Sequence, residues 1–87
     1  MVKYKKIFID YWGYTIADFI PCFYCGTNSV DIHHLIFKSQ CGKDEIGNLY
    51  PLCREHHEMA HSLPNFNNFL RKDLQNRIKI HEKRINP

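Results

Sequence analysis

No run of apolar residues in this chain approaches the ~20 that a bilayer-spanning helix needs, so a membrane protein is not expected. The start, Met1-Val2-Lys3-Tyr4-Lys5-Lys6, leads into no long apolar stretch either, which argues against a secretory leader and for a cytoplasmic protein. Internal repeats, low-complexity segments and linkers are also missing, and residues 1–87 are read as one domain. A domain of 87 residues buries only a little over ~60% of its unfolded surface, so its hydrophobic core is marginal. Such a chain needs a staple.

Cysteine is scarce, at 4 residues. Two disulfides are one reading, but without a leader a metal site is the stronger one. Three of the cysteines fall into two short pairs, Cys22-Phe23-Tyr24-Cys25 and Cys53-Arg54-Glu55-His56. Three thiolates and one imidazole are the donor count and softness of a closed tetrahedral Zn2+ site. A structural zinc contributes an apparent ~10–16 kcal/mol near neutral pH, as much as the whole net stability of an ordinary domain. His56 could instead join the other histidines, but Cys53 and His56 are three apart at a helix start and can converge, while His57 is turned ~100° away. Cys41, in the polar run Lys38-Ser39-Gln40-Cys41-Gly42-Lys43, is read as a free thiol.

The formal net charge is +3, and basic residues gather at both ends: Lys3, Lys5 and Lys6, then Arg71, Lys72, Arg77, Lys79, Lys83 and Arg84. That balance suits a polyanionic partner, although solvated faces account for it equally well. The aromatics are assigned to the core rather than to base stacking.

Residues 3–13 place Ile7, Phe8, Tyr11 and Trp12 on one helical face, with Gly13 suited to a C-cap. Thr15-Ile16-Ala17-Asp18 resembles a capping box and predicts a short turn of helix over 15–21. The segment from Cys22 to Thr27 reads as a zinc knuckle with its tight turn at Gly26. Val30 to Phe37 reads as a strand, 38–45 as a long hairpin loop, and 46–50 as the return strand, ended by Pro51. A helix over 53–62 puts His57 and His61 on one face. Residues 65–84 repeat Phe66, Phe69, Leu70, Leu74, Ile78, His81 and Ile85 near a 3.6 period, an amphipathic helix in which His81 is a packed or capping group. The fold class expected is small α+β: a ββα-metal, treble-clef-like finger with structural zinc, flanked by N- and C-terminal helices.

A strand with His33-His34, a strand with Asn48, and a helix with His57-x3-His61 hold the groups that phosphodiester hydrolysis needs, a base for water and a cation site for the phosphate. On a regular strand His33 and His34 face opposite ways, so one can ligate metal while the other acts on water. The set Cys22-x2-Cys25, Asp31-Ile32-His33-His34, Asn48-Leu49-Tyr50-Pro51-Leu52-Cys53, His56-His57 and His61 resembles the HNH endonuclease family in its zinc-clamped form. The resemblance covers 22–61, nearly half of the chain.

The resemblance implies a metal-dependent DNA endonuclease that leaves 5′-phosphate and 3′-hydroxyl ends. His34 would be the general base, its ordinary pKa of ~6.5 suiting the task. His33, His57 and His61 would hold a catalytic divalent cation. Imidazole donors favour Ni2+, Zn2+, Mn2+ or Co2+ in affinity, while the family often works with Mg2+ or Mn2+. Asn48 would pin the hairpin loop and so orient the base. Asp31, two before His33 and on its face, could act as the acceptor that orients that ring, or be a plain exposed carboxylate. Lys38 and Arg54 would touch the phosphate backbone, as Lys43 also could. The family implies double-stranded DNA entered from the minor groove, cut one strand per site, so that double-strand cleavage would take a homodimer. Small members resemble those of phages and bacterial mobile elements, where a larger targeting or packaging partner can supply specificity. The competing readings are a non-catalytic zinc-stabilised nucleic-acid-binding or accessory module and a purely structural zinc domain for protein contacts.

Overall fold

The computed structural model describes residues 2–15, 17–29 and 31–85. In chain order it contains helix α1 (Lys3–Trp12), strands β1 (Asp31–His34) and β2 (Leu49–Leu52), then helices α2 (Arg54–Ser62) and α3 (Pro64–Ile85). Two short 3-10 turns, Lys38–Gln40 and Ile46–Asn48, lie in the loop between the strands. This is the small α+β arrangement of an antiparallel hairpin followed by a helix, with a helix at either end. No described helix is long and apolar enough to cross a membrane.

The hairpin pairs Asp31 with Leu52, Ile32 with Pro51, His33 with Tyr50 and His34 with Leu49. Alternation then sends Ile32 and Leu49 to a cluster with Phe8 and Ile9 of α1. The opposite face supplies Tyr50, Leu52 and the following Leu35 to a cluster with Cys22, Ala60, Leu70 and Leu74, built on α2 and α3. The sheet is thus covered by α1 on one side and by α2 and α3 on the other. His33 and His34 inherit that division.

Several local expectations need correction. β1 stops at His34 rather than running to Phe37, because the Asn48 side chain takes the Ile36 backbone in place of a partner strand: Ile36 N–H donates to Asn48 Oδ1 at 2.6 Å and Asn48 Nδ2 donates to the Ile36 carbonyl at 3.1 Å. Val30, the expected first strand residue, lies outside the described residues. Pro51 does not end the pairing but sits within β2. The Leu35 N–H bond to the Asn48 carbonyl, 3.0 Å, puts the hydrogen-bonded pairs at alternate positions, so Pro51 falls in a non-hydrogen-bonded pair where its missing N–H is not needed.

No helix forms among the described residues of 15–21. Asp18 does reach back to the Thr15 N–H at 2.7 Å, half of a capping box, but the chain turns away; Ile16 is outside the described residues. Gly13 closes α1 in the left-handed region, φ 84°, with its N–H on the Ile9 carbonyl. His81 caps the same helix from α3, its Nε2 3.0 Å from the Tyr11 carbonyl.

On α3, Phe69 and Ile85 are more than half exposed, so the buried stripe runs through Leu70 and Leu74, flanked by Phe66 and Ile78. Arg77, read by sequence only as one of the clustered basic residues, is a tie: its Nε donates to Asp73 Oδ2 at 2.7 Å, it donates to the Phe23 carbonyl, and its guanidinium lies 4.6 Å from the Phe23 ring centroid. Tyr50 donates to the same Asp73 oxygen at 2.7 Å, joining the hairpin, the knuckle and α3.

Candidate active site

The knuckle is set by its backbone. Gly26, at φ 82°, lets its N–H return to the Cys22 carbonyl at 2.8 Å, and Phe23 N–H donates to the Pro51 carbonyl of β2 at 3.0 Å, which brings Cys22 and Cys25 to the start of α2. There Cys53 occupies the N-cap position, its carbonyl accepting from His57 N–H at 2.9 Å. The ligand atoms of Cys22, Cys25, Cys53 and His56 all lie within 4.8 Å of one another. Cys25 Sγ and Cys53 Sγ are 3.8 Å apart, close to the ~3.8 Å that two ~2.3 Å Zn–S bonds at a tetrahedral angle give. The Cys3His group therefore fits a metal ion such as zinc. Cys41 is exposed and belongs to no such group among the described residues.

The two knuckle thiols differ. The Thr27 hydroxyl, 3.0 Å away, helps pull the Cys25 thiol down to about 6, while burial pushes Cys22 up. A cation between them favours the thiolate of both.

A second group, His33, His57 and His61, also brings its ligand atoms within 4.8 Å. His33 comes from β1, and the other two project from successive turns of α2, their Nε2 atoms 3.1 Å apart. His33 is buried, 2% exposed. Desolvation, with some repulsion from His57, His61 and His34, holds its ring down to about 4, so it is neutral at pH 7, the form that binds metal. Burial also lowers His57.

His34 faces the other way and packs edge-on to Tyr4 of α1, with ring centroids 4.9 Å apart. Its Nε2 is 2.8 Å from Asp44 Oδ1. Lys38 Nζ reaches the same oxygen at 2.8 Å, and these contacts, Lys38 first, lower the Asp44 carboxyl and keep it an acceptor. Despite their opposed directions, His33, His34, His57 and His61 all line one groove of about 240 Å3, with Tyr4, Phe37 and Lys38. An adjoining groove of about 390 Å3 shares His57 and His61 and adds Arg54, Glu58 and Ser62. A larger cavity, about 620 Å3, has no imidazole in its lining and lies between α1 and the segments on either side of the knuckle, lined by Lys5, Ile9, Ile20 and Ser29 among others.

The remaining candidates fall as follows. Asn48 lies in the loop, its Nδ2 also donating to the Lys43 carbonyl at 3.0 Å, and among the described residues its side chain bonds backbone groups and neither an imidazole nor a thiol. Asp31 is not the acceptor at His33: it takes the Tyr4 hydroxyl at 3.3 Å and its neighbour's N–H. Asn67 of α3 holds that place, with Oδ1 2.9 Å from His33 Nε2. Sequence reasoning missed Asn67, Asp44, Tyr4 and Phe37. For Asn67 a signal exists, a polar residue three and seven positions before Leu70 and Leu74 on an otherwise apolar stripe; the others depend on loop and helix placement that no periodicity encodes.

Residues 22–63 match the family model described as HNH endonuclease. No curated protein and no solved structure matches the chain.

Proposed function

From a chain whose residues 22–63 match the HNH endonuclease family model, we propose that it is a metal-dependent DNA endonuclease that hydrolyses one phosphodiester bond per encounter to 5′-phosphate and 3′-hydroxyl ends. The observation that supports this best is the groove shared by four imidazoles, three of them close enough for one ion and the fourth tied separately to a carboxylate. A binding module has no use for that division of labour.

His34 is the general base. Asp44, ionised, can only accept, so the ring nitrogen it faces carries the proton and Nδ1 of the neutral ring is left with the lone pair that takes a proton from water. Tyr4 packs against the ring and Asp44 tethers it, which holds that nitrogen in one place. Asn48 keeps the loop bearing Lys38 and Asp44 closed over the strand ends by its three backbone bonds. His33, His57 and His61 would hold a divalent cation, Mg2+, Mn2+, Ni2+ or Zn2+, which when bound supplies charge stabilisation to the phosphoryl and leaving oxygens. Cys22, Cys25, Cys53 and His56 would hold a structural zinc. Lys38 at the groove edge and Arg54 in the adjoining groove contact backbone phosphates, adding affinity and salt sensitivity without sequence preference. The substrate is duplex DNA approached from the minor groove, and a single site nicks.

Conversion of supercoiled plasmid to open circles by purified protein with each of these metals, beside His34→Ala of equal zinc content, tests the reading. Metal-dependent nicking lost in the variant supports it. No cleavage with any ion by folded, zinc-loaded protein refutes it in favour of a binding module.

A further inference from the structure

We propose that Asn67, which lies on α3 outside the matched segment 22–63, is a positioning residue that fixes the tautomer of His33 and so assigns its Nδ1 atom as the metal-facing nitrogen. The inference rests on reading His33, His57 and His61 as one metal site.

The argument starts at a backbone carbonyl. Asn67 Nδ2 donates to the Leu35 carbonyl at 2.8 Å. Only the nitrogen of an amide can donate, so this bond decides which way the side chain lies and leaves Oδ1 facing His33 Nε2 at 2.9 Å. An amide oxygen has no proton to give. The contact is therefore a hydrogen bond only when His33 carries its proton on Nε2, and a neutral imidazole with Nε2–H has its lone pair on Nδ1.

The ring has little freedom to escape this assignment. It is 2% exposed and meets Phe37, His57 and His61 edge-on, with centroids 5.8, 5.0 and 5.0 Å away, so a flip that exchanged its nitrogens for carbons would break the Asn67 bond inside a packed site. Leu35 is itself buried and directly follows β1, which makes its carbonyl a fixed anchor. One side chain of α3 thereby sets the donor atom of a ligand on β1. Had Asn67 only tied α3 to the hairpin, its loss would lower stability and leave the tautomer of His33 unchanged.

The test uses the full zinc-loaded chain, stripped of any second ion, at pH 7.5. Long-range 15N–1H correlation of the ring nitrogens should show His33 with a protonated Nε2 and an unprotonated Nδ1. In Asn67→Ala the single tautomer should give way to a mixture, and Co2+ titration should show second-site affinity reduced about 10–100-fold at unchanged zinc content. Asn67→Asp keeps the acceptor and should keep the Nε2–H tautomer, with Co2+ affinity within a few-fold of wild type. A wild-type His33 protonated on Nδ1 overturns the inference, as does an Asn67→Ala protein with wild-type tautomer and affinity. The wild-type spectrum alone decides the tautomer if the variants fail to fold. Tight Co2+ binding without DNA cleavage would sink the nuclease reading and leave this one standing.

Discussion

Two groups of side chains that could each hold a metal ion meet on α2, where His56 belongs to one and its neighbour His57 to the other. The Cys3His group has four donors and is rooted in the core by one of them: Cys22 is 1% exposed among Tyr50, Leu52, Leu70 and Leu74, His56 is flanked by Tyr24 and Phe66 at ring distances of 4.6 and 6.0 Å, and Cys25 is exposed. The three-imidazole group opens onto a groove and is bordered by polar residues, Asn67 and Lys38, with His34 and its Asp44 close by. Adjacent residues of α2 thus belong to a group with a full set of four donors and to one with three donors beside a groove. Donor type agrees with surroundings: thiolates complete their own shell, whereas three imidazoles leave positions free. Interference with the two groups should have different consequences, and each prediction below tests that separation.

The largest effect is expected at the Cys3His group. Cys22→Ser or Cys53→Ser, or chelation of wild type, removes an apparent ~10–16 kcal/mol of metal binding from a domain that has no more than ~5–15 kcal/mol of net stability to lose. Far-UV circular dichroism should show an unfolded chain that refolds on adding Zn2+ to wild type. A folded metal-free protein would break the comparison, since neither group would then be structural.

Next comes the open group. His34→Ala should lower nicking about 10²–10⁴-fold, the usual contribution of a general base, and His57→Ala should abolish the metal dependence, both with wild-type zinc content and melting temperature. If His57→Ala also loses zinc, the two groups are one coupled unit.

A pH effect of intermediate size distinguishes the groups in the folded state. His33 is held below its unfolded value of ~6.5 to about 4, chiefly by burial, so the unfolded chain binds more protons between those limits. Its contribution to stability is fully present above pH 6.5 and lost as pH falls through 4, worth at most about 3 kcal/mol. The urea midpoint of wild type, measured from pH 7 to 4 without a second metal, should fall relative to that of His33→Leu as the pH drops. A constant difference would mean that His33 binds protons alike in the folded and unfolded chain.

How much of this could be read without coordinates differs between the groups as well. The Cys3His one is written in spacing: Cys22-x2-Cys25 and Cys53-x2-His56 are local pairs, and only the meeting of the two pairs is long-range. The histidines of the open group were likewise visible, because His57 and His61 share a helical face and His33-His34 sits on a strand. Their supports were not. Asp44 reaches His34 from within a 14-residue connection whose path depends on Asn48, and Asn67 reaches His33 from a helix whose polar and apolar faces were drawn by periodicity alone. Pro51 within β2 and the half-buried Arg77 tied to Asp73 are the same kind of error, residues judged by type where register or a nearby acceptor decided the outcome.

The smallest effect should come from the loop that borders only the open group. Gly42 lies against the chain it follows: its N–H donates to the Phe37 carbonyl at 2.9 Å, and a Cβ added there would stand 1.7 Å from the Ile36 carbonyl oxygen and 2.8 Å from that of Phe37. Backbone cannot yield that far without moving Lys38 and Asp44 on either side. Gly42→Ala should therefore cost about 1–3 kcal/mol in stability, as overpacking does elsewhere, and slow nicking by displacing Asp44 from His34. Zinc content should not change, because the knuckle and the start of α2 make no use of this loop. Equal stability and activity in the variant would mean that the loop adapts and that Asp44 finds His34 without it, which would confine the rigid part of the open site to β1, α2 and α3.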